Sequence, residues 1–330
     1  MKKPKITIAV TGLNNIDSPG PGIPVIRALK ESKFFEARII GLSYESLEPG
    51  IFMHDLVDKS YQIPMPSAGT QPLLNRIVYI NKQENIDVII PNFDAELHNF
   101  IRIAAKLKEE HKIASFLPSQ EQFDSRHKSQ LFGFGEKCGI KVPMASMVNT
   151  PTDIYNLNKK YVYPIVVKGK YYDAKIAATP EQAVEYFYKI SAKWGLPIII
   201  QEFVAGNEVN VTALGDGKGN CIGAVPMRKL YITDKGKAWS GIALDDPKLV
   251  DIAKRVISKS KWRGGCELEF IKSNKGEYYL LEMNPRFPAW VYLAVGCGQN
   301  HPAALVCMAL GKEIKPFKKY DVGKMFIRYS

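Results

Sequence analysis

Tyr278-Tyr279-Leu280-Leu281 is an apolar run, and Glu282-Met283-Asn284-Pro285-Arg286 follows it directly. The run predicts a strand, and because side chains alternate along a strand, Glu282, Asn284 and Arg286 are expected on one face. Carboxylate and amide oxygens are ligands that Mg²⁺ prefers, and a guanidinium is a planar fork for phosphate oxygens. The pentapeptide alone fits two interpretations: a clamp for a metal-bound polyphosphate, or the solvated end of an ordinary strand.

A second acidic strand precedes this segment. Residues 266–271 alternate acidic with apolar side chains, and residues 273–276 carry a turn signal. If Lys275 and Gly276 are the two turn residues, the antiparallel register places Glu269 directly opposite Glu282. Like charges in that position destabilise a hairpin unless a cation lies between them or one carboxyl is protonated. The pair therefore favours the metal clamp, although a slip of one residue would separate the two carboxylates.

Length and composition predict a globular protein of the cytoplasm. With 330 residues, 46% hydrophobic and 24% charged, the chain is long enough for two or three domains with buried cores. The apolar run at Ile6–Val10 is too short for a signal-peptide core, and no run approaches the length of a membrane span. Five cysteines without Cys-x-x-Cys spacing suit reduced thiols better than a disulfide framework or a zinc site.

The formal net charge of +12 predicts attraction to polyanions of any kind. The lysines and arginines are spread along the chain, and no zinc finger, RNP-type strand or basic arm is present. The charge therefore fits a nucleotide pocket and a solvated cationic surface, and it argues against a nucleic-acid partner.

Up to residue 117 the pattern alternates strands (5–10, 37–42, 86–91, 113–117) with helices (24–32, 72–83, 95–110), which predicts a parallel sheet covered by helices on both faces. In such sheets ligands lie beyond the carboxyl ends of strands, here the loop from Gly12 and residues 92–96. The loop lacks the spaced glycines of a dinucleotide fingerprint, so a nicotinamide site is not supported. Asp94 and Glu96 fit either helix capping or substrate contact.

From residue 119 onward the pattern changes. Residues 119–138 are predicted to form one helix with Lys128 in its middle, and the apolar strand 164–169 ends on Lys168. A lysine at the end of a buried strand must reach an anion or water, because an unpaired buried ammonium is very costly. Snorkelling into solvent is the alternative for Lys168, and a solvated helix face is the alternative for Lys128.

The chain as a whole resembles the ATP-grasp superfamily, most nearly the carboxylate–amine ligases and the synthetase halves of the carbamoyl-phosphate synthetase large chain. Five segments carry the resemblance in that superfamily's order: the segment with Lys128 before residues 139–143, the strand 166–168, the hinge 201–204 with Glu208, the acidic strand ending at Glu269-Phe270, and residues 282–286. It implies an α/β chain that is α+β in its C-terminal part. The implied domains are a parallel α/β domain (1–117), a linker helix and small lid (118–204), and a catalytic domain with an antiparallel sheet (205–330).

The resemblance also implies a role for each matching residue. Lys128 and Lys168 would contact the α- and β-phosphates of ATP, and Glu208 the ribose. Adenine would be held mostly through backbone groups of the hinge, at Glu202, Phe203 and Val204. Two Mg²⁺ ions, with Mn²⁺ as an alternative, would be held by Glu269, Glu282 and Asn284. Arg286, together with Arg228, would stabilise the transferring phosphoryl group.

The activity implied is ATP-dependent activation of a carboxylate as an acyl phosphate, followed by attack of an amine. Small molecules or peptides are both open as substrates, and a homodimer is open as the assembly. One departure from the family pattern concerns the lid: residues 169–175 contain one glycine only, so the loop after Lys168 is short and bulky. It leaves an alternative open, a nucleotide-binding regulatory or partner-binding protein without ligase turnover.

Overall fold

The computed structural model describes residues 3–15, 19–170, 173–233 and 236–328. Residues 171 and 172 of the predicted lid loop, and residues 16–18 of the loop after Gly12, lie outside the described residues. The strands of the described part are β1 Lys5–Val10, β2 Glu36–Ser43, β3 Lys59–Gln62, β4 Val88–Ile90, β5 Ala145–Val148, β6 Ile165–Lys168, β7 Ala174–Ala177, β8 Ile198–Glu202, β9 Gly206–Asp216, β10 Cys221–Ile232, β11 Ala238–Ala243, β12 Arg263–Ser273, β13 Tyr278–Asn284 and β14 Met325–Ile327.

The helices of the same residues are α1 Gly22–Lys30, α2 Thr70–Glu84, α3 Asp94–His111, α4 Gln120–Ser125, α5 Leu131–Cys138, α6 Pro151–Asn156, α7 Pro180–Trp194, α8 Pro247–Ser260, α9 Tyr292–Gly296 and α10 His301–Ala309. None of these helices combines the length and the apolar character that crossing a bilayer requires. All five cysteines are free thiols, and burial raises the pKa of the Cys221 thiol to about 11.

The N-terminal strands form the predicted parallel sheet, in the order β3-β2-β1-β4. Alternation along β1 sends Ile8 and Val10 to one face, where α1 and α10 contribute to the core, and Ala9 to the other, where α2 and α3 pack. Helices on both faces explain why β1 and β4 are almost continuously apolar.

The strand predicted at 113–117 is wrong, because the described residues contribute only a single parallel bridge there, between Val88 and Ala114. The guanidinium of Arg263 donates hydrogen bonds to the carbonyls of Ser115 (3.3 Å) and Leu117 (2.7 Å). Those carbonyls are therefore engaged by a side chain instead of a strand partner.

The single helix predicted at 119–138 is also wrong: α4 and α5 are separated by a turn at 126–130, and Lys128 lies in that turn. The hydroxyl of Ser125 donates to the carbonyl of Gln122 (2.9 Å), and the amide of Gln130 donates to the carbonyl of His127 (2.7 Å). Serine side chains compete with the helical backbone for such bonds, which explains the interruption.

Two antiparallel sheets complete the described fold. One has six strands in the order β13-β12-β9-β10-β11-β14, and the other has four in the order β5-β8-β6-β7. In the smaller sheet, Ile165, Val167 and Ile200 face a core built with α6 and α7. The opposite face of that sheet carries Lys168.

The chain divides into two compact units. The first comprises Met1–Ser125, Val209–Glu269 and Met283–Ser330, and the second comprises Arg126–Glu208 and Phe270–Glu282. The boundaries predicted from sequence, at 117/118 and 204/205, describe three consecutive domains and stay a prediction.

Candidate functional site

An open cleft lies in the second unit, on the face of the four-stranded sheet that α6 and α7 do not cover. Its walls come from the α4–α5 turn, from α5 and the chain after it, and from strands β5, β6, β8 and β13. The lining residues are Lys128, Ser129, Leu131, Phe132, Val142, Pro143, Ala145, Ser146, Met147, Lys168, Ile199, Gln201 and Leu281.

Both predicted phosphate-binding lysines line this cleft. Lys168 is the last residue of β6 and lies opposite Ile199 of β8, and Lys128 reaches the same cleft from the turn before α5. Both side chains are half-buried. Two ammonium groups beside apolar side chains suit a ligand that has both an anionic group and an apolar part.

The predicted hinge, residues 201–204, lies at the end of β8. Glu202 ends β8: its amide donates to the carbonyl of Met144 (2.8 Å), and its carboxylate accepts from the amide of Met144 (3.1 Å). Phe203 and Val204 are half-buried and lie outside regular structure, and Glu208 is half-buried on β9. The amide of Glu202 is thus engaged by Met144, the residue before β5, and is not available to a ligand.

A second group of polar side chains lies in the first unit, where β12 alternates as predicted. Cys266 and Leu268 are fully buried on one face, and Glu267 and Glu269 project from the other. The side-chain amide of Asn284 donates to Glu267 Oε2 (3.1 Å) and to Glu269 Oε1 (3.0 Å). Because two carboxylates hold its NH₂ group, the carbonyl oxygen of Asn284 is the atom left for a cation.

Glu282 lies two residues before Asn284 on β13 and is half-buried. The turn before β13 is not the predicted two-residue turn. The amide of Ser273 donates to the carbonyl of Glu277, the amide of Gly276 donates to the carbonyl of Ser273, both at 2.8 Å, and Gly276 has φ +73°. Three residues therefore form the turn, with glycine in the left-handed position. The pairing of Glu269 with Glu282 depended on the shorter turn and stays a prediction.

Arg286 lies between two carboxylates of the first unit. Its Nε is 3.4 Å from Asp94 Oδ1, and its Nη1 is 3.5 Å from Glu267 Oε2. Arg228, by contrast, is exposed on β10 and forms no ion pair among the described residues. Arg286 and Asn284 both contact Glu267, and Asn284 also contacts Glu269, so these side chains form one group. The role of Arg228 stays a prediction.

Helix capping and substrate contact were the two interpretations of Asp94 and Glu96, and the structure gives these two residues different partners. The carboxylate of Glu96 accepts from the backbone amides of Asn92 (2.7 Å) and Phe93 (2.9 Å), so it caps α3. Burial raises the pKa of Glu96, against the effect of these hydrogen bonds. Asp94 instead directs its carboxylate to Arg286. Capping is thus the role of Glu96, while Asp94 belongs to the polar group of the first unit.

Sequence reasoning missed Gln201 and Glu267. Gln201 of β8 lies opposite Val166 of β6, which is on the same face of the sheet as Lys168. Gln201 therefore faces the cleft, as alternation along the two strands would have indicated. Glu267 is 6% exposed, and its Oε1 accepts from Asn210 (3.1 Å) and from the indole of Trp290 (2.7 Å). The alternation of β12 signalled Glu267, but its long-range partners could not be read from the sequence.

The oxygen donors found here fit a hard divalent cation. Carboxylate and amide oxygens are present, as Mg²⁺ and Mn²⁺ prefer, and thiol or imidazole ligands are not part of the group. Among the described residues, no three His, Cys, Asp or Glu side chains cluster as a metal centre. An ion at this place would therefore complete its coordination with amide, water or phosphate oxygens.

Comparisons with known proteins agree with this fold. A family model described as "ATP-grasp in the biosynthetic pathway with Ter operon" matches residues 196–325. The arginine-specific carbamoyl phosphate synthase large chain of Bacillus subtilis is 22% identical over 247 residues, which cover 71% of this chain and 23% of that relative. This chain therefore spans less than a quarter of the length of that curated relative.

Solved structures match over almost the whole chain. The biotin carboxylase domain of Hydrogenobacter thermophilus 2-oxoglutarate carboxylase, in complex with MgADP, ADP and bicarbonate, has a TM-score of 0.73 at 19% identity, covering 96% of this chain and 72% of its own. Biotin carboxylase from Campylobacter jejuni, in a β,γ-ATP complex, has a TM-score of 0.74 at 16% identity, with 97% and 74% covered. The predicted fold class, an α/β chain with the ATP-grasp architecture, is confirmed, and the described residues form one parallel and two antiparallel sheets.

Proposed function

Because this chain has the ATP-grasp fold, we propose that it is an ATP-dependent, ADP-forming ligase that joins a carboxylate to an amine. The observation that carries the proposal is the cleft of the second unit, where Lys128 and Lys168 line one cavity with apolar side chains. The two lysines come from separate elements, so their convergence is a property of the fold and not of a local motif. The substrates proposed are small-molecule or peptide carboxylates and amines.

Each part of the cleft has a proposed role. Lys128 and Lys168 bind the α- and β-phosphates of ATP, and the apolar lining receives the base. The backbone of the hinge at Glu202, Phe203 and Val204 contacts adenine, with most contacts after Glu202 because its own amide is already bonded to the carbonyl of Met144. Glu208 binds the ribose hydroxyls.

Phosphoryl transfer depends mainly on position and on neutralisation of the phosphate oxygens. Glu269, Glu282 and Asn284 are proposed to hold Mg²⁺, with two ions as the proposed number and Mn²⁺ as the alternative. When bound, the metal neutralises charge on the β- and γ-phosphates. Arg286 stabilises the transferring phosphoryl group, and Arg228 is proposed as a second cation in that role.

The reaction proceeds in two displacements. A substrate carboxylate oxygen attacks the γ-phosphorus, the bond from that phosphorus to the β-phosphate oxygen breaks, and ADP leaves. A neutral amine then attacks the acyl carbon, the carbon–oxygen bond to phosphate breaks, and the amine loses a proton as the amide forms. Acyl phosphates hydrolyse readily, so the bound intermediate must be kept from water.

A second candidate function, nucleotide binding without turnover, is favoured by the lid. The amide of Gly169 donates to the carbonyl of Asp173 (3.0 Å), which closes the β6–β7 hairpin after a short loop. The carboxylate of Asp173 accepts from Lys193 (3.1 Å) and from the indole of Trp194 (2.7 Å). A short hairpin fastened to α7 has little length with which to cover phosphates.

Phosphate release from ATP, screened over pairs of carboxylates and amines, distinguishes the two candidates. We expect Mg²⁺-dependent release with at least one pair, and Glu282→Gln is expected to lower it by about 100-fold or more, because a ligand to the phosphate-bound metal is lost. Glu277→Gln is the matched control, since it changes an exposed carboxylate of the same hairpin that is bonded to Lys141. ATP binding without phosphate release from any pair would favour the second candidate, and near-normal release by Glu282→Gln would remove Glu282 from the metal site.

A further inference from the structure

Glu267 is the centre of the polar group in the first unit, and its two carboxylate oxygens have different partners. Oε1 accepts from Asn210 and from Trp290, which packs with Val225 and Met227 in a buried cluster. Oε2 accepts from Asn284 and faces the guanidinium of Arg286. One edge of the carboxylate is therefore held by the core, and the other holds two residues with proposed roles in the reaction.

A carboxylate that is 6% exposed is costly to bury, and it is tolerated only when donors surround it. Three hydrogen-bond donors, Asn210, Asn284 and Trp290, and the guanidinium of Arg286 surround it here. Without Glu267, the Asn284 side chain would keep its bond to Glu269 and Arg286 its ion pair with Asp94, but both would lose the contact that joins them. Either side chain could then adopt another orientation, and the Asn284 carbonyl oxygen would no longer be directed to one position.

We propose that Glu267 is a positioning residue that fixes the orientation of Asn284 and Arg286 and thereby tunes the affinity for the metal–nucleotide complex. The inference rests on the proposed function, because it takes from there the metal role of Asn284 and the phosphate role of Arg286. Groups that orient a metal ligand without touching the metal are often worth about 10–100-fold in metal affinity or activity.

The substitution Glu267→Gln tests the contacts of the two carboxylate oxygens separately. The Trp290 indole is a donor only, so it selects the rotamer in which the new side-chain oxygen faces Trp290 and Asn210. The new NH₂ group then meets the NH₂ of Asn284 and the guanidinium of Arg286, and donors face donors. The substitution thus keeps the contacts with Asn210 and Trp290 and removes those with Asn284 and Arg286, with almost no change in side-chain volume.

The test is Mn²⁺ binding to the ADP-bound protein, measured by electron paramagnetic resonance, beside ADP binding without metal, measured by calorimetry. We expect Glu267→Gln to bind Mn²⁺ about 10–100-fold more weakly, with metal-free ADP affinity unchanged. Glu96→Gln is the matched control: it alters another buried carboxylate of the first unit, one that accepts from Thr11, Tyr44 and two backbone amides. It is expected to change stability but not Mn²⁺ affinity.

The outcomes separate the two hypotheses. If wild-type protein with ADP binds no Mn²⁺, the proposed function fails and this inference with it; if wild-type and Glu267→Gln bind Mn²⁺ equally, only this inference fails. Should Glu267→Gln not fold, the wild-type protein supplies a second measurement. The Trp290 indole resonance, assigned with Trp290→Phe, is expected to move when Mg²⁺ is added to the ADP complex, and a fixed resonance would contradict the inference.

Discussion

Lys168 occupies the last position of β6, where the backbone is still paired to β7 and β8 but the side chain has left the packed core. Its neighbours across the two pairs are Ala174 and Ile199. Neither competes for the ammonium group, and the small side chain of Ala174 leaves space on that side. A cation held on a rigid strand loses little conformational entropy when it binds a phosphate. Lys168 is therefore expected to contribute more to phosphate affinity than an exposed lysine would.

Lys168→Met is expected to weaken ATP binding by about 10–100-fold, because hydrogen bonds to a charged group contribute roughly 1.5–3 kcal/mol. Methionine keeps the apolar stem, so the fold of the sheet is expected to be retained. Calorimetric titration with ATP measures the effect. Lys189→Met changes an exposed lysine of α7 that pairs with Glu185 in the same unit, and its ATP affinity is expected to equal that of the wild type. Equal affinities for the two variants would exclude Lys168 from the phosphate site.

At the residue scale, prediction succeeded where a side chain follows from local pattern. Lys168 closes an apolar run, and Glu269 alternates with apolar neighbours, so both could be assigned to a face from sequence. The partners of Glu267 could not, because Asn210 and Trp290 reach it from β9 and from the chain after β13. Contacts of that kind depend on tertiary packing, about which the periodicity of one strand says nothing.

Among the helices, α5 forms one wall of the cleft and depends on a glycine. A Cβ atom at Gly135 would lie 2.3 Å from Val142 Cγ2 and 3.0 Å from the carbonyl oxygen of Ile140. Val142 lines the cleft, so the close approach of α5 to the following chain positions part of the cleft wall. Gly133, on the same helix, is exposed and has nothing within 4 Å of such a Cβ atom.

Gly135→Ala is expected to lower the free energy of unfolding by about 1–3 kcal/mol, the usual cost of overpacking, and to weaken ATP binding by displacing Val142. Gly133→Ala is the control, and it is expected to raise the same free energy by about 0.5–1 kcal/mol, because alanine favours the helix where space is open. Urea unfolding of the two variants measures both effects. Stabilisation by both substitutions would show that α5 does not pack closely on residues 140–142.

At the element scale, sequence predicted the elements with strong periodicity and missed those without it. The strand predicted at 5–10 is β1, and the helix predicted at 95–110 is α3, which extends one residue further at each end. β3, with the sequence Lys59-Ser60-Tyr61-Gln62, has no apolar alternation because it is the edge of its sheet, and it was not predicted. Edge strands are defined by the neighbour that they pair with, which a local pattern cannot supply.

For the whole molecule, the path of the chain has a feature that reading along the sequence does not reveal. β9, β12 and β13 each contribute residues to both units, since the divisions fall after Glu208, Glu269 and Glu282. A composition change marks a linker between consecutive domains, but a strand that continues from one unit into the other has no such mark. The resemblance to a known fold supplied the architecture, whereas the local pattern supplied the elements.

Stability of the first unit is expected to depend on pH through Glu84, at the end of α2. Burial by itself would raise the pKa of Glu84, but hydrogen bonds from Tyr61, Arg38 and Lys59 outweigh it and hold the pKa at about 2. A carboxyl whose pKa is lowered on folding contributes stability above its unfolded pKa and loses it as pH falls toward the folded one. These contacts tie α2 to β2 and β3, so the contribution concerns the parallel sheet as a whole.

Glu84→Gln is therefore expected to cost about 1–3 kcal/mol of unfolding free energy at neutral pH, at the low end of that range if solvent screens the partly exposed Arg38 and Lys59. The difference from wild type should shrink as the pH falls from 4.5 toward about 2, because both proteins are then uncharged at this position. Urea unfolding across that range measures it. Glu36→Gln, at the exposed start of β2, makes the same charge change and is expected to leave unfolding unaltered. A cost for Glu84→Gln that is constant with pH would mean that shape, and not charge, fixes α2 to the sheet.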